Sequence, residues 1–211
     1  MLTVGWSPGV FSVQSALIVA GGYELPTCIY TATVEVFKSD TSQWYRTDPL
    51  PSACQDISLI AIGNTCYALG GYNGSLLNQA FYASINDLFG DTVPANQTTH
   101  SGNTNTQSAW KTLPNTPTYQ PAAAMLSGNL LAIGGAKTFE GGGAKKDVYV
   151  YSPSTNSWIY ISDLPAPRSR AAIALLSSTD ILVIGGYHDG GSTNTVFKGS
   201  GNSIQIHNSH K

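Results

Sequence analysis

The sequence predicts an all-β chain built from repeated four-stranded antiparallel units. Three observations predict it. Four apolar segments end in a glycine pair, at Gly21-Gly22, Gly70-Gly71, Gly134-Gly135 and Gly185-Gly186. A tryptophan follows three of these pairs: Trp44, Trp110 and Trp158. No segment holds a helical period over ten or more residues. The pairs are spaced by 49, 64 and 51 residues, and the steps from glycine to tryptophan are 23, 40 and 24. Self-similarity at such a period is the signature of a repeat architecture.

Each unit contains the same parts in the same order. Strand a is an apolar run closed by a tight turn, such as Ile57 to Ile62 before Gly63-Asn64, or Ala122 to Leu126 before Ser127-Gly128-Asn129. Short apolar runs joined by Gly-Asn turns are hairpin signals. Strand b follows and ends in the glycine pair. Strand c alternates, as in Thr33 to Phe37 and Asp147 to Tyr151. A polar turn then leads to strand d, which starts at the tryptophan. It ends in Asp48-Pro49-Leu50-Pro51, Leu113-Pro114 or Asp163-Leu164-Pro165. The units span about 8–50, 54–114, 119–165 and 169–211.

Two units depart from the pattern. The second carries about 16 extra residues between Gly70 and Trp110. With strand c read as Ala80 to Ile85, the extra length falls in the c–d turn, and Thr92 to Ser108 reads as a flexible surface loop. The fourth has no tryptophan near position 208, where one is due.

The run of apolar strand, Gly-Gly, about twenty residues and Trp resembles the kelch repeat, a four-stranded propeller blade of about 50 residues. The resemblance covers nearly the whole chain and implies an all-β propeller of four-stranded antiparallel kelch-like blades, the last one incomplete. It implies that the glycine pair lets backbone approach closely and that the tryptophan packs between adjacent blades. Propellers of that family have about six or seven blades, so four units are expected to be part of a larger ring. Closure by another chain is a second reading. Completion of the fourth unit by Leu2-Thr3-Val4-Gly5-Trp6 is a third, although Trp6 lies in poor register.

Composition narrows the function classes. The chain is 42% apolar and 10% charged with net charge −2, which favours neither nucleic acid nor an acidic membrane surface. No stretch approaches the roughly 18 apolar residues of a spanning helix. The first six residues lack the basic and apolar regions of a signal peptide. A cytoplasmic location is therefore expected. The odd cysteine count, Cys28, Cys54 and Cys66, reads as free thiols in a reducing compartment, while one disulfide with one free thiol fits as well.

An up-and-down blade puts its a–b and c–d turns on one face and its b–c and d–a loops on the other. In proteins of the resembled family the second face commonly binds partners. Here its b–c loops begin with Tyr23, Tyr72 and Tyr187-His188. Its d–a loops carry Gln55-Asp56, Tyr119-Gln120 and Arg168-Ser169-Arg170. Tyrosine and arginine are enriched in binding hot spots. The candidate partner site is thus Tyr23, Tyr72, Tyr119, Arg168, Arg170, Tyr187 and His188. The competing reading is structural, because tyrosine after the glycines and Pro-x-Arg before strand a also belong to the repeat pattern.

Catalytic motifs fail on inspection. There is no Cys-x-x-Cys, His-Glu-x-x-His, calcium loop or Gly-x-Ser-x-Gly. Gly141 to Lys146 lacks the Ser/Thr after lysine and the helix start of a phosphate loop. The expectation is a non-catalytic protein-interaction module without cofactor or metal, serving as the scaffold, adaptor or substrate-recognition part of a larger protein. Two alternatives stand beside it: a propeller enzyme of the oxidase or epimerase kind, and an extracellular recognition domain. Asn73-Gly74-Ser75 and Asn96-Gln97-Thr98 have the form of glycosylation acceptors.

Overall fold

The computed structural model describes residues 5–13, 15–25, 27–90, 93–94, 108–138, 143–189, 191–201 and 205–208. It is all-β apart from one six-residue helix, Ile85–Gly90. The chain divides into two compact units, residues 1–68 with 81–112 and residues 69–80 with 113–211. The boundary passes through strand b of the second repeat.

Four antiparallel sheets correspond to the four repeats, each with the up-and-down strand order of a propeller blade. The first runs Gly9–Val13, Ala16–Ala20, Val34–Lys38 and Gln43–Thr47. The second runs Gln55–Ile62, Thr65–Tyr72, Ala80–Ser84 and Lys111–Thr112. The third runs Ala122–Leu126, Asn129–Ile133, Asp147–Ser152 and Ser157–Asp163. The fourth runs Ala172–Leu175, Asp180–Ile184, Val196–Ser200 and Gln205–Asn208. The fourth repeat therefore has an outer strand, one that carries no tryptophan. Residues 5 and 6 do not supply it: Gly5–Trp6 pairs with Tyr23–Glu24 instead.

Strand b of the third sheet is apolar on both faces because both faces are covered. In strand b of the third sheet, Leu130, Leu131, Ala132 and Ile133 are all buried. Leu131 and Ile133 join Ala122, Ala124, Leu126 and Val148 against Ile181, Val183 and Phe197 of the fourth sheet. Continuous apolar runs of this kind are what doubly covered strands require. Burying each such side chain contributes about 1.5–3 kcal/mol.

The glycine pair has a divided task. At Gly134 (φ +61°) an added Cβ would collide with the Arg168 carbonyl oxygen, which belongs to the loop opening the fourth repeat. At Gly135 (φ +104°) it would lie 2.6 Å from the Tyr119 carbonyl oxygen of its own repeat. The Gly135 N–H donates to the Arg168 carbonyl at 2.7 Å. One glycine thus admits the next blade and the other admits the loop opening its own.

The insertion of the second repeat differs from expectation where it is described. Strand c ends at Ser84, and Ile85 opens the short helix, with Ile85 and Leu88 buried. Val93–Pro94 then adds a fifth strand to the first sheet, pairing with Arg46 and Tyr45. Residues 92 and 95–107 of the expected loop, with the Asn96-Gln97-Thr98 acceptor, lie outside the described residues.

Candidate functional site

In the third and fourth blades the d–a loop is tied to the b–c loop of its own blade by backbone pairing. Tyr119 and Ala136 exchange hydrogen bonds at 3.1 and 2.8 Å. Ser169 and Tyr187 do the same at 2.9 and 2.8 Å. The residue after each of these loop residues turns sharply. Gln120 and Arg170 hold φ of +50° and +54°, as do Ser7 and Asp56 at the matching positions of the first two repeats. A non-glycine residue there costs about 1–2 kcal/mol, and the pairing on either side maintains it. The turn redirects the chain into strand a.

In the second unit these loops converge on one cavity of about 160 Å³. It is lined by Leu76, Gln120, Ala136, Ser169, Arg170 and Tyr187. Loops of three repeats therefore contribute to it. Tyr187 is 49% exposed and Gln120 is 4% exposed. Arg170 is exposed, and its Nε–H donates to Gln120 Oε1 at 3.2 Å. Ser169 Oγ donates to the Tyr187 carbonyl at 3.4 Å. The floor is apolar, from Leu76 and Ala136, and the wall is a guanidinium, an amide, a hydroxyl and a phenol.

Of the residues expected at a partner site, Arg170 and Tyr187 are brought together here. Tyr72 and Tyr119, both half-buried, are not among its lining residues but bridge by backbone to two that are, Leu76 and Ala136. His188 is half-buried and pairs with Gly191 at the tip of the same loop as Tyr187. Tyr23 lies in the first unit, half-buried, with its ring edge-on to Tyr30 at 5.1 Å. A hydrogen bond to the Cys28 side chain holds its phenol above the ordinary range.

Arg168 sits differently. It is 5% exposed, donates from Nη1 to the Pro167 carbonyl at 2.6 Å and from Nη2 to Thr195 Oγ1, and lies over the Phe197 ring at 4.7 Å. Desolvation lowers its pKa. Its contacts are those of a strut between the d–a loop and strand c of the fourth blade. Gln120 was missed as a site residue, although its position was legible: it precedes strand a as Arg170 does.

The remaining polar clusters are surface networks. On the outer strands of the third sheet, Lys145 pairs with Asp147 at 2.5 Å and Lys146 with Asp163 at 2.7 Å. The Lys146 hydrogen bond holds the Asp163 carboxyl below its usual range. Among the described residues no three of His, Cys, Asp and Glu are placed to hold a metal ion, and no helix is long and apolar enough to cross a membrane.

Residues 117–165, the third blade, match the family model of the Kelch motif. No curated protein matches the chain.

Proposed function

Starting from a chain of kelch-type propeller blades, we propose that it is a non-catalytic protein-interaction module that binds its partner on the b–c and d–a loop face. The convergence of loops from three successive repeats on the cavity beside Arg170 and Tyr187 carries this reading. Rigid loop positions with an exposed tyrosine and arginine over an apolar floor are the make-up of a binding hot spot. The kelch motif supports an interaction role in general; the residues assigned to it are read from the cavity. None of the six lining residues carries a carboxylate, imidazole or thiol, the groups that exchange protons most readily near neutral pH.

Affinity capture tests the proposal. The immobilised chain is compared with a Tyr187→Ala/Arg170→Ala double variant and with a control changed on the opposite edge, Tyr151→Ala. The double variant is expected to lose partners that the control keeps, with both shown by their melting curves to be folded at the assay temperature. Retention of every partner by the double variant removes the assignment of the binding face.

A further inference from the structure

We infer that the cavity beside Arg170 takes a carboxylate of a partner polypeptide, from an acidic side chain or from a chain terminus. This rests on the interaction reading above and specifies what the partner presents.

The donors in the cavity outnumber their acceptors. Arg170 uses Nε to hold Gln120 Oε1 at 3.2 Å. That bond fixes the guanidinium and leaves Nη1 and Nη2 without a partner among the described residues. Gln120 is 4% exposed, and its Nε2 is a buried donor with no hydrogen bond. Turning the amide over would not help, because it would set an N–H against the Arg170 N–H. A buried donor left unsatisfied costs about 1–3 kcal/mol, and this one belongs to a residue that lines the cavity.

Among the described residues of the second unit, none supplies the countercharge. Every described carboxylate of the second unit is already engaged. Asp147 pairs with Lys145 at 2.5 Å, Asp163 with Lys146 at 2.7 Å and Asp180 with Lys198 at 3.6 Å. Asp189 Oδ1 accepts from the Ala144 N–H at 3.0 Å. Arg170 is thus a cation held in place by an amide, with no anion beside it among the described residues. A guanidinium with two free N–H groups on one edge matches a carboxylate in bidentate geometry. The apolar floor of Leu76 and Ala136 suits the methylene stem of such a residue. A volume of about 160 Å³ holds one side chain, not an extended ligand.

Short immobilised peptides, probed with the folded full-length protein, test this. One series has amidated ends and carries Glu or Asp internally. A second has a free C-terminal carboxylate and no acidic side chain. A third replaces each Glu with Gln and each Asp with Asn. At least one carboxylate series is expected to be retained, the first or second showing the source. Replacement by the amide should weaken binding at least about tenfold, about 1.4 kcal/mol. Arg170→Gln should erase that discrimination in a protein that its melting curve shows to be folded at the assay temperature, and Arg170→Lys should restore it only in part.

Peptides that bind equally as acid and amide would overturn the carboxylate inference while leaving the binding face intact. So would an Arg170→Gln variant that keeps the preference. Retention of no carboxylate peptide also overturns it. If, in addition, the Tyr187→Ala/Arg170→Ala variant captures every wild-type partner, the reading of the face fails as well.

Discussion

At the residue scale, the first glycine of each pair can be tested against its own repeat. An alanine at Gly134 would meet a backbone carbonyl of the next blade, whereas at Gly185 the nearest atom to an added Cβ is Thr193 O at 3.2 Å. Both residues have positive φ, near 61° and 62°. Backbone strain of about 1–2 kcal/mol is therefore common to both substitutions, and the collision adds about 1–3 kcal/mol at Gly134 alone. Gly134→Ala should lower the midpoint of urea unfolding clearly more than Gly185→Ala; equal shifts would refute the assigned division of the pair. The thiols give a second test. Burial pushes the Cys66 thiol up to about 12, and Cys54 is buried as well, while Cys28 is exposed. Only the thiolate reacts. One equivalent of thiol, at Cys28, should therefore be alkylated in native protein at pH 8, and all three after denaturation.

At the element scale, the tryptophans act as clips between successive repeats. Trp110 Nε1 donates to the Asp48 carbonyl at 3.1 Å, and Trp158 Nε1 to the Pro114 carbonyl at 2.8 Å. Both acceptors lie just after the outer strand of the preceding repeat. The Gly-to-Trp spacing made the residues legible, but equal weight for them was not. Trp110 is 5% exposed and Trp158 is half-buried beside Tyr151 at 5.5 Å. Trp110→Ala should cost about 3–5 kcal/mol. Trp158→Ala, with about half the area at stake, should cost about 2–3 kcal/mol. Trp110→Phe keeps most of the ring and isolates the hydrogen bond, worth about 1 kcal/mol. Denaturant unfolding of the three variants orders them, and a Trp158 loss equal to that of Trp110 would contradict the burial difference. The extra strand of the first sheet was not legible. Val93-Pro94 reads as loop because two residues show no period and proline is a poor strand former. It nevertheless sits on an edge, where a proline needs no partner for its missing N–H. The helix at Ile85 was hidden for a related reason, since six residues are too few to show a period.

At the scale of the whole molecule, sequence and structure agree on four-stranded blades and diverge on which loop residues face outward. The repeat pattern places Arg168 and Arg170 two positions apart on one loop and marks both as binders. Their backbone separates them. The positive φ at Arg170 turns its side chain towards Gln120 and the cavity, while Arg168 points inward onto Phe197. No spacing rule encodes that turn, because Ser, Asp, Gln and Arg all occupy it across the four repeats. Opposite phenotypes follow from the two arginines. Arg168→Ala loses its hydrogen bonds and its ring contact, each about 1–2 kcal/mol, offset in part by relief of a desolvated charge. The chain should melt at lower temperature yet bind its partner normally when assayed well below the transition. Tyr187→Ala removes a half-exposed ring from the cavity and should leave the melt unchanged, surface substitutions being within about 0.5 kcal/mol. Its loss should appear in the dissociation rate of the partner, where most interface substitutions act. Paired melting and surface-plasmon measurements on the two variants separate support from recognition. An Arg168→Ala protein that is fully folded and fails to bind would place that guanidinium in the interface.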